Sequence, residues 1–392
     1  MKRFSLYLFI FVCTSSFIIS CKSDSYPPDN KVQDGTLHIR KKTDAQKLHP
    51  FVYPSPKARD IYQYIFPQLA DFDPVTLKLI PVLIKAIPEE IKITEGPNSG
   101  SIKFTIEYLP EAKWDDGKDV TAQDYIFSVK TVKNLKVKAG GYRSHLQFIS
   151  DIIVDPNNPK KFDVIFAKDY LLAKETALTI ETYPAHIYDP KGLTTNLSLS
   201  DAGDENKLNE IIAKDSTLMQ WADDMNGIKY GRDVVNSCGP YQLSEWVTDE
   251  YIILDRKENY WAKGSKNPFL IAGPKRIIFD ILPDETTAIT QLSEGNMDLV
   301  LEVSGAVFSN LQKEENSYQF LTPQLTKYYL IAMNNDSPEL SDKTVRKALG
   351  HLLDVDNVMK SIDFGNGTRT IGPIHPGKNY YNSKLSPITY DV

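Results

Sequence analysis

The sequence of 392 residues predicts an α/β fold. Stretches with the two-residue alternation of strands are interleaved with stretches of helical spacing, and no repeat period relates them. That order favours mixed α/β lobes over a solenoid or a barrel. Apolar residues make up 41% of the chain, enough for real hydrophobic cores, and the length is typical of two or three domains.

Five stretches are predicted to be β-strands. The clearest is Ser101–Leu109, in which every second residue is apolar, as in a strand with one buried face. The other four are Thr36–Arg40, Tyr251–Leu254, Ile277–Leu282 and Tyr328–Met333. Between the first two strands, Leu48–Ser55 is rich in proline and is predicted to be irregular.

Helices are predicted between these strands. Asp60–Leu69 has apolar residues at helical spacing, and Thr121 with Asp124 forms a capping-box-like start for the next helix. Asp284 is placed to cap a short helix that Gly295 ends. The last predicted helix carries an apolar stripe at Val345, Ala348, Leu349, Leu352 and Leu353.

The N-terminus has the pattern of a bacterial secretory signal. Lys2 and Arg3 precede a short apolar stretch, Phe4–Ile19, and a small residue stands directly before Cys21. This arrangement resembles a lipobox, in which the cysteine is acylated. We therefore predict a signal peptide over residues 1–20 and a lipidated tether over 21–34, with the protein extracytoplasmic and anchored by lipid to a bacterial membrane.

Composition excludes several classes of partner and site. The net charge is −6 and the chain has no long basic run, so nucleic acid is not expected to bind. Cys13 leaves with the signal and Cys21 carries lipid. Cys238 then stands alone, so no disulfide is possible, and Cys238 is predicted to be a buried small residue.

An enzyme is not expected. The chain lacks the G-x-S-x-G motif of serine hydrolases and the H-E-x-x-H motif of zinc proteases. Its six histidines do not have metal-ligand spacing, so neither a metal site nor a cofactor is predicted.

Four segments in order resemble the family 5 extracellular solute-binding proteins, the type that binds oligopeptides and dipeptides. The first reads AKWDDGKDVTAQDYIFSVKTV, similar to the family's K-W-x-D-G-x-P-V-T-A-x-D motif, and the second contains Gly239-Pro240-Tyr241 and Asn259-Tyr260-Trp261. The segments are Ala112–Val132, Cys238–Trp261, Ile277–Val300 and Tyr328–Gly377.

The resemblance implies a two-lobed periplasmic-binding-protein-like fold of type II, with an extra subdomain in the N-terminal lobe. It implies a receptor that closes on a peptide and delivers it to the permease subunits of an ATP-binding cassette (ABC) importer. Two alternatives remain open. One is the same fold with another cargo, such as a metal chelate, haem or a sugar. The other is a surface lipoprotein that senses or adheres.

The same resemblance implies how the lobes divide. The core of lobe I is expected over residues 35–66 and 183–281, with the extra subdomain over 67–182. Lobe II is expected over 282–392. Family members usually continue beyond the segment matched here, so we expect lobe II to be incomplete, without the acidic residue that usually pairs with a peptide's amino terminus.

Candidate ligand-binding residues follow from the matched positions. The loop that holds Tyr53, Pro54 and Ser55 corresponds to a cleft loop of the family. Its prolines lack an N–H, which puts the usual strand-like pairing with a peptide in doubt. Tyr142 corresponds to a cleft tyrosine, and Arg143 beside it could receive a carboxylate. Asn334 is expected near a crossover between the lobes.

Overall fold

The structure, a computed structural model, describes residues 35–167, 170–314, 318–322, 327–362, 364–378 and 380–392. The predicted signal peptide and tether, with Cys21, lie outside these residues. In the described part of the chain, no helix is both long and apolar enough to cross a bilayer.

Strands and helices are both abundant, which confirms the predicted α/β class. The strands are β1 (Thr36–Lys41), β2 (Ala70–Phe72), β3 (Leu79–Pro81), β4 (Ile91–Lys92), β5 (Ile102–Glu107), β6 (Ile149–Asp155), β7 (Asn158–Phe166), β8 (Tyr241–Val247), β9 (Tyr251–Arg256), β10 (Arg276–Ile281) and β11 (Leu299–Val300). The helices are α1 (Pro56–Tyr62), α2 (Ala122–Lys133), α3 (Gly140–Leu146), α4 (Ala173–Leu178), α5 (Ala185–Tyr188), α6 (Leu199–Ala202), α7 (Glu205–Lys214), α8 (Thr217–Asn226), α9 (Glu285–Ser293), α10 (Gly305–Leu311), α11 (Lys343–His351) and α12 (Val355–Ile362).

A mixed five-stranded sheet runs in the order β11-β1-β10-β9-β8. Strand β1 pairs in parallel with β10 and with β11, whereas β9 is antiparallel to both of its neighbours. The cross-strand pair Ile39 and Phe279 is buried, as expected for a sheet covered by packing. The predicted strands Thr36–Arg40, Tyr251–Leu254 and Ile277–Leu282 are thereby confirmed.

Arg40 fastens one end of this sheet. Its side chain is only 1% exposed. The guanidinium donates to the carbonyl oxygens of Leu282 at 2.9 Å and Pro283 at 3.1 Å, just after β10, and to that of Leu301 at 3.2 Å, just after β11. A buried guanidinium needs such acceptors, because an unpaired donor in the interior costs about 1–3 kcal/mol. Arg40 thus holds together two places where the chain leaves the sheet.

A second sheet is antiparallel and runs in the order β4-β5-β7-β6. Strand β5 confirms the predicted alternation, because its buried and half-buried residues alternate along its length. Helix α2 packs against β7. One hydrophobic core includes residues of both large sheets, from Ile39 to Phe279. The predicted boundaries of the lobes stay a prediction.

The predicted capping box at the start of α2 is confirmed, and its carboxylate does more than cap. Asp124 accepts from the backbone N–H of Thr121 at 2.9 Å and from that of Ala185 at 3.0 Å. The indole N–H of Trp114 donates to the same carboxylate at 3.3 Å. Burial raises the pKa of Asp124, while these hydrogen bonds oppose that rise. One side chain therefore joins α2, α5 and the loop before α2.

The first helix lies earlier than predicted. The spacing indicated Asp60–Leu69, but α1 covers Pro56–Tyr62. Its start agrees with the preference of proline for the first turn. Pro67 explains the early end in part, because a proline disfavours helical geometry in the residue before it. The apolar residues that produced the spacing, including Ile65 and Leu69, are buried all the same.

The prediction of a strand at Tyr328–Met333 is wrong. This segment is irregular, and all of its side chains except that of Met333 are exposed, Tyr329 to 84%. Among the described residues no strand pairs with it, and a strand without a partner leaves its backbone groups unbonded. Helix α11 forms as predicted, but the apolar stripe through Val345 and Leu349 is exposed rather than buried.

Candidate functional site

A pocket with a volume of about 150 Å³ opens beside α1. Its walls come from α1, from the turn after α1, from β2 and from the loop that precedes β10. Aromatic and charged side chains line it together. The aromatic ones are Tyr62, Tyr64, Phe66 and Phe269, and the charged ones are Arg59, Asp71 and Glu181. Such a combination of apolar walls and a few polar groups is typical of small-molecule sites.

Glu181 is the most deeply buried charged group of this pocket, at 2% exposed. Gln68 donates its amide N–H to Glu181 Oε1 at 3.0 Å, and Tyr142 donates its hydroxyl to Oε2 at 3.0 Å. An isolated bridge between the backbones of Gln68 and Glu181 sets the first contact. Burial raises the pKa of Glu181, while the two hydrogen bonds and the positive charge of Arg59 oppose that rise.

Arg59 supplies the positive charge of the pocket. Burial lowers the pKa of its guanidinium, but the attraction of Tyr62, Asp71 and Glu181 outweighs burial, so the net pKa is raised. Asp71 is half-buried, and burial raises its pKa as well. The pocket therefore holds two carboxyl groups and one guanidinium.

An aromatic cluster holds Tyr142 in place. The rings of Phe51 and Tyr142 meet edge to face with centroids 5.3 Å apart, and Phe51 also packs on Tyr183 at 4.8 Å. Phe66, which lines the pocket, packs on Tyr183 at 5.1 Å. Such contacts favour one geometry, because aromatic pairs stabilise tilted and edge-to-face arrangements.

The predicted cleft loop lies beside Tyr142. Pro54 Cγ is 3.9 Å from the position that a Cβ on Gly141 would occupy, so Tyr53, Pro54 and Ser55 pass close to the start of α3. The backbone donors of this loop are used within it. Tyr53 N–H donates to His49 at 2.9 Å, and Ser55 N–H donates to Tyr53 at 2.7 Å. With prolines at 54 and 56, the loop has little to offer a strand-like ligand.

Arg143 is engaged with the backbone. Its Nε donates to the carbonyl oxygen of Val132 at 2.9 Å, and its Nη2 donates to that of Asn134 at 2.8 Å. These carbonyls lie at the C-terminal end of α2, where a helix leaves acceptors unpaired. The guanidinium, which could receive a ligand carboxylate, therefore caps the end of α2 in this structure.

Asn334 lies in an exposed turn and accepts from the backbone N–H of Asp336 at 3.1 Å. Of the predicted residues, the structure thus brings together Tyr53, Pro54, Ser55 and Tyr142. The binding roles of all six predicted residues stay predictions, and Cys21 lies outside the described residues.

Sequence reasoning missed Glu181, Gln68 and Arg59. The sequence did contain a signal for Glu181, because this acidic residue interrupts the largely apolar stretch Leu178–Tyr183. Charged residues are rarely buried without a partner, so such an interruption marks a possible polar site. Gln68 and Arg59 carried no comparable signal, since their partners come from distant parts of the chain.

The predicted burial of Cys238 is confirmed. Cys238 is buried, at 1% exposed, and burial raises the pKa of its thiol to about 12, as expected for an inert core cysteine. Trp114 is also buried, whereas Trp246 and Trp261 are half-buried. In the described ranges, no group of three His, Cys, Asp or Glu side chains is placed to hold a metal ion.

Comparison with known proteins identifies relatives of this architecture. The family model described as bacterial extracellular solute-binding proteins, family 5 Middle, matches residues 98–392. The oligopeptide-binding protein AppA of Bacillus subtilis is 22% identical over 293 residues, covering 74% of this chain and 46% of AppA. The heme-binding protein A of Haemophilus influenzae is 29% identical over 153 residues, covering 39% of this chain and 26% of that protein.

Solved structures share the fold. NikZ from Campylobacter jejuni, in complex with Ni(L-His), superposes with a TM-score of 0.65 at 21% sequence identity. The superposition covers 91% of this chain and 61% of the NikZ chain. AppA in complex with a nonapeptide gives a TM-score of 0.60 at 18% identity, with 91% and 62% covered. The predicted periplasmic-binding-protein-like fold is confirmed. The aligned part of the chain spans about half of the length of AppA.

Replacing Glu181 with Gln should change how stability depends on pH. Because the folded state raises the pKa of Glu181, it binds the proton more tightly than the unfolded chain does. Stability of the wild type is therefore lost as pH rises from the unfolded pKa through the folded pKa. Gln is neutral. Its Oε1 can accept from the amide of Gln68, and its NH₂ group can donate to the hydroxyl oxygen of Tyr142, so both contacts persist with the second hydrogen bond reversed. We expect the free energy of unfolding of Glu181→Gln, relative to wild type, to be higher at pH 7.5 than at pH 4.5.

Urea unfolding at the two pH values measures this difference. Glu245→Gln is the matched control, since the exposed Glu245 accepts from the hydroxyl of Tyr251 at 2.8 Å in the same way. A difference between Glu181→Gln and wild type that is the same at both pH values would contradict the assigned burial of this carboxylate.

Proposed function

This chain belongs to the bacterial extracellular solute-binding proteins of family 5, and we propose that it is an extracytoplasmic receptor that binds oligopeptides and delivers them to an ABC importer. Proteins of this family are solute-binding receptors rather than enzymes. The relatives differ in cargo, since their names include oligopeptides, haem and a nickel–histidine complex. The pocket of this chain is therefore the basis for choosing among them.

The single observation that supports a peptide is the pocket beside α1. Four aromatic side chains form its walls, and charged groups lie among them. A peptide side chain can bury its apolar part against such rings while a polar end meets the charged groups. The half-buried Tyr142 stands next to this pocket and reaches Glu181.

The neighbouring loop supports a particular way of holding the peptide. Because the N–H groups of Tyr53 and Ser55 are already bonded and Pro54 has none, this loop cannot add a peptide as a further strand. Recognition then falls mainly on side-chain contacts and on ordered water. The prolines suggested the same conclusion in the sequence, and the described hydrogen bonds support it.

Delivery to an importer requires that the receptor stay near its permease. We propose that Cys21 carries lipid and that the segment after it is a flexible tether to the membrane. A doubly or triply acylated cysteine anchors a protein stably, whereas one chain binds only marginally. The anchor and the permease partner both rest on the signal pattern and on the family.

Peptide binding should raise the thermal stability of the protein. A ligand at about 100 times its Kd stabilises the folded state by about 2.7 kcal/mol, which corresponds to a shift of several degrees in Tm. We expect a pool of random tetra- to octapeptides to give such a shift in differential scanning fluorimetry. Tyr142→Ala should lose most of it, because this ring lies beside the pocket.

The control for that experiment is Tyr251→Ala, since Tyr251 is also half-buried and also donates to a glutamate, Glu245. It should keep the shift. If haem or Ni(L-His) raises Tm and the peptide pool does not, the peptide cargo is wrong and the alternative cargo within the same fold is favoured. No shift with any of these solutes would contradict the receptor function.

Lipidation of Cys21 can be checked in a bacterial host. The wild-type protein should take up radiolabelled palmitate and partition into the detergent phase of Triton X-114, whereas Cys21→Ser should do neither. Cys238→Ala is the matched control, because Cys238 is buried in the core and should not affect labelling. Equal labelling of wild type and Cys21→Ser would contradict the anchor.

A further inference from the structure

The pocket contains a carboxylate without a counter-ion in contact. Of the residues that the structure describes, Gln68 and Tyr142 are the ones that hydrogen-bond to Glu181, and both are neutral. Arg59 acts on Glu181 through space, and its charge is shared with Asp71. A buried carboxylate is costly unless a positive charge compensates it, so the site is arranged to gain from an incoming cation.

Gln68 adds an independent sign of a missing donor. The residue is 9% exposed, and its Oε1 is buried without a hydrogen-bond partner among the described residues. Its amide orientation is fixed by chemistry, because an ionised Glu181 can only accept and the NH₂ group must face it. The oxygen is then left as a buried acceptor on a residue that lines the pocket, and native structures rarely leave such an atom unsatisfied.

The carboxylate of Glu181 and Oε1 of Gln68 can both accept a hydrogen bond from the same ligand. Glu181 still has acceptor positions after its two hydrogen bonds, since a carboxylate offers about four. An ammonium group has three donors and no acceptor, so it could serve Glu181 and Gln68 Oε1 together. The aromatic rings of Tyr62 and Phe66 also line the pocket, and such rings attract cations over their faces.

We propose that this pocket selects peptides that present a positively charged amine to Glu181 and Gln68. This inference rests on the proposed peptide receptor and narrows its substrate class. The amine can come from a lysine side chain or from the amino terminus of the peptide, since the chemistry at Glu181 is the same for both.

Isothermal titration calorimetry with three tetrapeptides distinguishes these sources. The first is N-acetylated and carries one lysine, the second has a free amino terminus and norleucine instead, and the third is N-acetylated with norleucine and has no amine. We expect one of the first two to bind at least about tenfold more tightly than the third, as a charge-assisted hydrogen bond in a desolvated site should provide.

Glu181→Gln should reduce that preference to about twofold or less, because Gln keeps the shape but not the charge. Glu245→Gln should leave it unchanged. Equal affinity of all three peptides for the wild type would overturn the inference while leaving the peptide receptor intact, and this arm needs no variant to fold. Binding by none of the three, nor by the random peptide pool, would contradict the receptor itself and the inference with it.

Discussion

The carboxylate of Glu181 is almost completely buried, and three separate segments are arranged to accommodate it. Gln68 comes from the turn after α1, Tyr142 from α3, and the charge of Arg59 from α1 itself. Removing one of these hydrogen-bond donors would leave a buried carboxylate oxygen unsatisfied, which typically costs about 1–3 kcal/mol or more for a charged group. This requirement fixes how α1, α3 and the segment at Glu181 pack against one another. The pocket is the space that lies between α1 and the segment at Glu181.

Other buried charged side chains join distant segments of the fold in the same way. Arg40 joins two exits from the main sheet through backbone carbonyls, and Asp124 joins α2 to α5 and to the loop of Trp114. Each of these side chains contacts residues more than fifty positions away along the chain. Periodicity located β1, β5, β9, β10 and α11, because those signals are local. The partners of Arg40 and Asp124 could not be predicted, because they depend on which segments become neighbours in space.

The elements that were predicted wrongly also depend on contacts between distant segments rather than on local periodicity. Tyr328–Met333 has the composition of a strand, but a strand needs a partner, and none is present among the described residues. The predicted helix at Asp60–Leu69 had correct apolar residues and wrong ends, because Pro56 starts α1 and Tyr62 ends it. At the site, the family resemblance located the loop of Pro54 and the tyrosine at 142. It did not locate Glu181, whose importance depends on burial. Arg143 hydrogen-bonds to carbonyl oxygens at the end of α2, and its role in binding a ligand stays a prediction.

The central claim is that this protein binds a peptide in the pocket that contains Glu181. A crystal structure of the protein with the tightest-binding peptide would test it most directly. The account predicts that the peptide packs against Tyr142 and places an amine within about 3 Å of Glu181, the usual length of a charge-assisted hydrogen bond. A peptide that binds elsewhere on the protein and does not contact Glu181 or Gln68 would contradict the claim.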